Sequence, residues 1–325
     1  MAVVVHRCCE VRVPLRVFVA GATGVVGRHL LPELRRAGHH VTALARREDT
    51  AAGLRGVDGV VVADMMDPGA LRRVVTEAAP DVVVHQASAF SDTDANAGMQ
   101  RTARLRETGS RHLVEAAIEA GARRVVVQSM ADAYVPNGHD VLDEEAPLWT
   151  EAPGYWGELV RSVAAMEETV LTHAEIDGVA LRYGALYGPG TEYASDGSMH
   201  RRVCGSALPL VEDGIGLMSF THVDDAAGAV LEVLDGVEPG AYNVVDNEPA
   251  ESSEWLPTYA RMGGGPAPLT LTPEQARAQL DWLTVHQLTE QRGATNFRFR
   301  ETAGWRPVWP SWREGFAALF DLWPG

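Results

Sequence analysis

The sequence contains no lysine, since all 28 residues counted as Lys plus Arg are arginines. Any chemistry that depends on a side-chain ammonium is therefore excluded. Cysteine is scarce too: Cys8, Cys9 and Cys204 form neither a disulfide framework nor a metal set, so we expect a cytoplasmic protein without a metal. No apolar run approaches the roughly 18 residues of a membrane span, and the opening MAVVV is too short for the apolar core of a secretion signal.

Basic residues are outnumbered by acidic ones, and the net charge is −16 at pH 7. Such a charge argues against nucleic acid and against anionic membranes as partners. A length of 325 residues with 46% apolar content suits one large globular domain or two small ones. We therefore expect a protein that acts on a small molecule, and a homodimer is an open expectation.

A glycine-rich run follows the first strongly apolar segment. Residues 17–20 predict a buried strand and residues 25–34 the helix after it. Glycine permits the sharp turn, the approach of a pyrophosphate and the close packing of helix on strand, and the first amides of the helix favour anions. Strand, glycine triplet and helix in this order predict a dinucleotide site at Gly21, Thr23, Gly24, Val25, Val26 and Gly27.

Predicted strands then alternate with helices as far as residue 183. The strands are expected at 17–20, 41–45, 59–63, 81–85, 123–128 and 178–183. This alternation predicts an α/β fold with a doubly wound parallel sheet of the Rossmann type. We expect an extension at 1–14, the nucleotide-binding domain at 15–185, and a smaller C-terminal substrate lobe at 186–325. Segments near 220–246 should return to the first domain, where Asp224 or Asp225 suits a helix N-cap.

Four segments together resemble the extended short-chain dehydrogenase/reductase family, also described as the NAD-dependent epimerase/dehydratase family. They are the glycine run, VVVHQAS at 82–88, LRYGALYGPG at 181–190 and FTHVDD at 220–225. The resemblance spans about residues 15–315 and implies an NAD(P) domain with a lobe for substrates that are often nucleotide sugars. It also implies further cofactor contacts at Asp64, Met65, Gln86, Ala87, Ser88, Gln128 and Tyr183.

The same resemblance implies a Tyr-x-x-x-Lys pair on one helix, in which the ammonium lowers the tyrosine pKa for acid–base work. The family's helix aligns here through Arg161, Ser162 and Glu167. That register puts Leu159 at the tyrosine position and Val163 at the lysine position. Both members of the pair are replaced by apolar residues.

Four other side chains are candidates for the missing chemistry. Ser129 ends the fifth predicted strand and matches the family's serine to within one residue, and Asp132 and Tyr134 follow closely. Tyr155 lies one helical turn before Leu159, and the neighbouring glycines and proline place it in the loop that enters the helix. Without a lysine nearby we expect its phenol pKa to stay near about 10. Tyr155 and Ser129 are thus the predicted catalytic residues.

The second predicted strand ends in Arg46 and Arg47, with no acidic residue before Glu48. An acid at this point accepts hydrogen bonds from the ribose of NAD, whereas guanidinium groups pair with the 2′-phosphate of NADP. The sequence therefore favours NADP over NAD.

Three interpretations of function are open at this point. The first is an NADP(H)-dependent reductase that acts on the carbonyl of a small or sugar-type molecule through a non-standard proton donor. The second is a redox-neutral isomerase, dehydratase or cyclase, and the third is a non-catalytic NADP sensor. The fold alone does not choose among them.

Overall fold

A computed structural model describes residues 13–89, 95–138 and 140–321. The predicted extension at 1–14, with Cys8 and Cys9, lies outside these ranges except for its last two residues. The strands are β1 Arg16–Ala20, β2 His40–Ala45, β3 Gly59–Val62, β4 Val82–His85, β5 Arg124–Met130, β6 Val141–Leu142, β7 Asp177–Tyr183, β8 Ala185–Tyr187, β9 Leu210–Val211, β10 Leu217–Met218, β11 Phe220–His222, β12 Gly240–Val244, β13 Ala250–Glu251, β14 Thr270–Leu271 and β15 Gly293–Ala294.

The helices alternate with the sheet strands and then dominate the C-terminal part. They are α1 Val25–Arg36, α2 Glu48–Ala51, α3 Pro68–Ala78, α4 Ala95–Arg104, α5 Ser110–Glu119, α6 Gly154–Leu171, α7 Ser198–Cys204, α8 Val223–Glu232, α9 Ser252–Met262, α10 Pro273–Gln279, α11 Trp282–Thr289, α12 Phe297–Ala303 and α13 Trp312–Leu319. The sequence predicts a long helical stretch over about 95–120. The structure confirms it, and α4 and α5 are joined there by a π-helical turn, Leu105–Gly109.

Seven parallel strands form the central sheet in the order β3-β2-β1-β4-β5-β7-β12. The predicted α/β doubly wound fold is confirmed. Strand order reverses between β1 and β4, and such a switch point opens a crevice for ligands at the carboxyl ends of the strands. The predicted cofactor residues lie near the carboxyl ends of sheet strands or just after them.

Both faces of the sheet are covered, which explains why its strands are nearly continuous runs of valine and alanine. One face packs on α1 and α8. The other packs on α3, α5 and α6. The strands are therefore held rigidly, and their carboxyl ends are a fixed platform for the site.

A separate apolar core, rich in aromatic rings, lies in the C-terminal part of the chain. Its largest fully buried side chains are Tyr187, Phe220, Trp255, Tyr259, Trp312 and Phe316. The rings meet mostly edge to face, for example Tyr187 and Phe316 at 5.3 Å between centroids, which suits the quadrupoles of aromatic rings. β12 leaves this part and pairs with β7 in the main sheet.

The start of α8 differs from the sequence prediction. Its N-cap is His222, whose ring Nδ1 accepts a hydrogen bond from the backbone N–H of Asp224 at 3.2 Å. Asp225 is buried instead and accepts from the backbone N–H groups of Val308 and Trp309, at 2.6 and 3.0 Å. The carboxylate thus fixes the C-terminal segment to α8. Sequence reading missed this role because the partner lies more than eighty residues away.

Within the described part of the chain, no helix is both long enough and apolar enough to cross a membrane.

Candidate functional site

The turn between β1 and α1 requires glycine at two of its three positions. Gly21 has φ of +88°, and a Cβ there would lie 2.3 Å from the carbonyl carbon of Gln86. A Cβ on Gly27 would lie 2.3 Å from the carbonyl oxygen of Gly21. These two glycines hold β1, the turn and α1 in close contact.

Gly24 is different, because it is the N-cap of α1 and its surroundings are more open. A Cβ there would meet the Gly21 carbonyl oxygen at 3.2 Å and the Gln86 carbonyl oxygen at 3.9 Å. No side chain caps this helix and no acidic residue lies in its first turn. The first amides of α1 are therefore available to an anion such as a pyrophosphate. Thr23 and Val25 are half-buried beside this turn, while Val26 packs into the core.

Gln86 supplies a second feature of a ligand site. Its side chain is 4% exposed, and neither polar atom of its amide has a hydrogen-bond partner among the described residues, although it lies beside Tyr183. A buried amide without partners costs about 1–3 kcal/mol. Ala87 and Ser88 continue this segment outward, half-buried and exposed respectively. The glycine turn and the unpaired amide both fit a bound dinucleotide.

The ribose end of the predicted cofactor site is marked by Arg46 and Arg47, both exposed directly after β2. The Arg47 guanidinium pairs with Asp49, Nε to Oδ1 at 3.1 Å. Asp64 is exposed after β3 and accepts from the backbone N–H of Met66 at 2.9 Å. These residues all follow strands that end at the same edge of the sheet, as the sequence predicts.

Three other predicted cofactor residues have different surroundings. The Met65 side chain is buried in the core under α3 and α5. Gln128 is half-buried on β5. Tyr183 is buried at the end of β7, and its hydroxyl donates to the carbonyl of Ala226 on α8 at 3.3 Å. The side chains of Met65 and Tyr183 thus belong to the packed core.

Ser129, a predicted catalytic residue, faces the interior. It is 1% exposed, and its hydroxyl donates to Glu167 Oε1 on α6 at 2.5 Å. Glu167 also forms a buried ion pair with Arg182 on β7, with Nη2 to Oε2 at 2.6 Å and Nε to Oε1 at 2.9 Å. The hydroxyl is therefore committed to a structural network between β5, α6 and β7.

Tyr134, another candidate, belongs to the same network. Its hydroxyl accepts from Arg182 Nη1 at 2.9 Å and donates to Asn243 Oδ1 at 2.7 Å. Burial raises the pKa of Tyr134 to about 12, although Arg182 opposes the shift. The phenol is thus a fixed tether between β7 and β12 at neutral pH.

The two positions that the resemblance assigns to acid–base catalysis are buried. Leu159 is 3% exposed and Val163 is 0% exposed. Leu159 packs in an apolar cluster with residues of the loop after β5 and of α6, and Leu283 of α11 packs against the same cluster. The position that the resemblance assigns to the tyrosine is therefore surrounded by hydrocarbon.

Tyr155 lies in the first turn of α6, not in a preceding loop, because α6 begins at Gly154. Its side chain is 37% exposed and borders a groove of about 270 Å³ between α4 and α6. The hydroxyl donates to Asp281 Oδ1 at 3.3 Å. Partial burial and the Asp281 carboxylate raise its pKa to about 12, so the expectation of about 10 is wrong. The sequence could not reveal this acceptor, which lies 126 residues away.

Sequence reading missed one charged residue at this edge. Arg106 lies in the π-helical turn and is buried, with Nη1 3.1 Å from the sulfur of Met130 at the end of β5. Asp132 and His85 lie close enough to interact electrostatically with the Arg106 charge. The sequence signal that could have revealed Arg106 is its position on the inward face of a predicted helix.

These observations define a class: a doubly wound α/β fold with a dinucleotide-type glycine turn. The sequence profile of the NAD dependent epimerase/dehydratase family matches residues 17–245. The chain belongs to this family and is an oxidoreductase-like enzyme of it.

Among curated proteins, the chain is 49% identical over 304 residues to a 3-diazoavenalumate denitrifying reductase from a Streptomyces species, covering 93% of this chain and 99% of that protein. It is 28% identical to dTDP-4-dehydro-6-deoxy-D-allose reductase of Streptomyces bikiniensis, over 79% of this chain and 84% of that one. Among solved structures, UDP-glucose 4-epimerase of Thermotoga maritima with UDP-glucose matches at TM-score 0.74 and 18% identity, covering 94% and 97% of the two chains. At this identity the likeness supports the fold.

Proposed function

We propose that the protein is an NADPH-dependent reductase that replaces an aryl diazo group by hydrogen and releases N₂. The observation that carries the proposal is the apolar, buried character of Leu159 and Val163 at the acid–base positions of the family. The 49% identical relative, named as a denitrifying reductase of a diazo compound, supports the substrate class.

The chemistry explains why an acid is dispensable. A bound nicotinamide would supply a hydride. At a diazonium carbon the incoming hydride forms the new C–H bond, the C–N electron pair leaves with N₂, and no proton is taken up. Reduction of a carbonyl instead leaves an alkoxide that must be protonated, a step to which a positioned acid contributes about 10²–10⁴-fold. Hydrocarbon at residues 159 and 163 suits the first reaction.

The residues of this chain would hold the cofactor and protect the substrate. The glycine turn and the first amides of α1 would bind the pyrophosphate. Arg46 would pair with the 2′-phosphate, while Arg47 is engaged with Asp49. The cluster around Leu159 and Leu283 would keep water from a diazonium group, which hydrolyses readily. NADP is the proposed cofactor, with NAD as the alternative.

Deuterium labelling of the reaction tests this proposal. The purified protein is incubated with diazotised 3-aminobenzoate and with NADPH deuterated at its reducing position. We expect deuterium on the ring carbon that carried nitrogen, N₂ in equal amount to NADPH consumed, and no ring label from D₂O. The Gly24→Ala variant, designed to weaken cofactor binding, and a reaction without protein give the background.

A second candidate is reduction of a carbonyl on a sugar-type substrate, which the 28% identical reductase favours. In that case dTDP-4-dehydro-6-deoxy sugars would be reduced, with a solvent isotope effect, and the diazonium probe would react no faster than background. That result would overturn the diazo proposal.

A further inference from the structure

The groove between α4 and α6 reaches the position that the resemblance assigns to the tyrosine. Its volume is about 270 Å³, and its walls include two pairs of side chains four residues apart, Met99 with Ala103 on α4 and Tyr155 with Leu159 on α6. Side chains at this spacing lie on one face of a helix. Leu159, at 3% exposure, is the most buried of the four. Because Ala103 is small, the space beside it stays open to a ligand.

Tyr155 is a fixed aromatic wall of this groove. Its hydroxyl donates to Asp281 Oδ1 at 3.3 Å, and Asp281 is the N-cap of α11. The same carboxylate accepts from the backbone N–H of Thr284 at 3.0 Å and from its hydroxyl at 2.7 Å. The phenol end of the ring is thus anchored to α11, while its backbone belongs to α6. A ring restrained at both ends loses little freedom when a ligand packs on it, which favours affinity.

The size and the charge of the groove limit its ligand. Sites for drug-sized molecules have volumes of about 300–1,000 Å³, so this groove suits a single ring better than a nucleotide sugar. Among its described lining residues Glu158 alone is charged, and Gln100 adds a neutral amide. A carboxylate attracts a cation and repels a phosphate. The thioether of Met99 makes favourable contacts with an aromatic ring.

We propose that this groove is the subsite for the aromatic ring of a cationic substrate, and that Tyr155 is a specificity residue that packs on that ring. The inference rests on the proposed function, which supplies an aryl diazonium as the substrate. Since Leu159 takes the position of the family's tyrosine, a ring beside Leu159 lies next to the place of the reacting carbon. The Glu158 carboxylate offsets the positive charge of the diazonium group.

Binding of unreactive rings tests the inference. NMR titrations of the NADP⁺-loaded protein compare three probes. Benzamidinium is a planar aromatic cation, cyclohexanecarboxamidinium keeps the charge but not the aromatic ring, and benzoate keeps the ring but reverses the charge. We expect benzamidinium to bind at least about fivefold more tightly than either of the others, as for one aromatic contact. Absence of benzamidinium binding, or equal affinity for the three probes, would overturn the inference.

Variants locate the bound ring. Tyr155→Phe keeps the ring and should retain wild-type affinity for benzamidinium, whereas Tyr155→Ala should lose about fivefold or more. Ala103→Leu fills the groove and should lose about tenfold or more, with NADP⁺ affinity and thermal unfolding unchanged. Ala165→Leu is the matched control, because this half-buried alanine of α6 borders only a neighbouring groove. Wild-type affinity in Tyr155→Ala or in a folded Ala103→Leu would contradict the placement.

The two proposals can fail separately. If benzamidinium binding depends on Tyr155 and Ala103 but diazotised 3-aminobenzoate is not reduced, the subsite stands and the proposed reaction fails. If the diazonium probe is reduced while benzamidinium binding is the same in all variants, the reaction stands and the subsite is wrong.

Discussion

Two regions of one sheet edge differ in how they are built. At the end of β1, the candidate cofactor site is built from glycines and from backbone amides that no side chain caps. At the end of β5 and the start of α6, the candidate side chains are engaged in packing, since Ser129 donates to Glu167 and Leu159 lies in an apolar cluster. The glycine turn is thus defined by backbone geometry, whereas the candidate catalytic side chains are defined by the partners they pack against.

The largest effect is expected from substitutions in the glycine turn between β1 and α1. Gly27→Ala forces a Cβ to 2.3 Å from a backbone oxygen, so we expect a loss of more than about 5 kcal/mol of stability, beyond the usual range of single substitutions. Gly24→Ala has more room and should change stability by less than about 1 kcal/mol while weakening NADPH binding by roughly tenfold, because its methyl group faces the pyrophosphate. Thermal unfolding and calorimetry measure the two effects. Equal behaviour of the two variants would contradict the distinction between them.

The next effect concerns the buried network behind β5. Glu167→Ala leaves Arg182 without its carboxylate and should cost about 3–5 kcal/mol of stability. Ser129→Ala removes one hydrogen bond to a charged group and should cost about 1.5–3 kcal/mol. Urea denaturation gives both values. A fall in turnover of Ser129→Ala of about 10²-fold or more, without a loss of stability, would return Ser129 to the catalytic candidates.

The preference for NADP over NAD can be tested at the arginines that follow β2. Arg46→Ala should weaken NADPH binding by about 10- to 100-fold, corresponding to 1.5–3 kcal/mol, and leave NADH binding unchanged. Arg47→Ala is the matched control and should have the smaller effect, because that guanidinium already pairs with Asp49. If wild type binds NADPH and NADH equally, the preference for NADP is wrong.

Tyr155 should have the smallest effect. Its pKa of about 12 keeps the phenol protonated throughout the neutral range, and its proton is donated to Asp281. Tyr155→Phe should therefore change kcat by less than about threefold, and no tyrosine ionisation should affect the rate below about pH 10. A positioned proton donor would instead lose about 10²–10⁴-fold, and that outcome would place carbonyl reduction ahead of the diazo reaction.

Much of the fold was predictable because its signals are local. The Val17–Ala20 run, the glycine spacing and the alternation of strands and helices together predicted the parallel sheet, and the absence of lysine ruled out the usual pair at once. The predicted cofactor residues lie at or just after the carboxyl ends of parallel strands, or, for Gln128, within β5. Their contacts with NADP stay predictions.

The sequence alone determined the architecture and the family, since the strand, glycine and helix patterns depend on residues close together in the chain. The tertiary structure decided which polar side chains are available. Ser129 is bound to Glu167, Tyr155 to Asp281, and Asp225 to the backbone near residue 308. It also buried Arg106 beside the end of β5. Each partner lies at least twenty residues away in the chain, and a hydrogen bond or burial at such separation is set by packing, which no local pattern encodes.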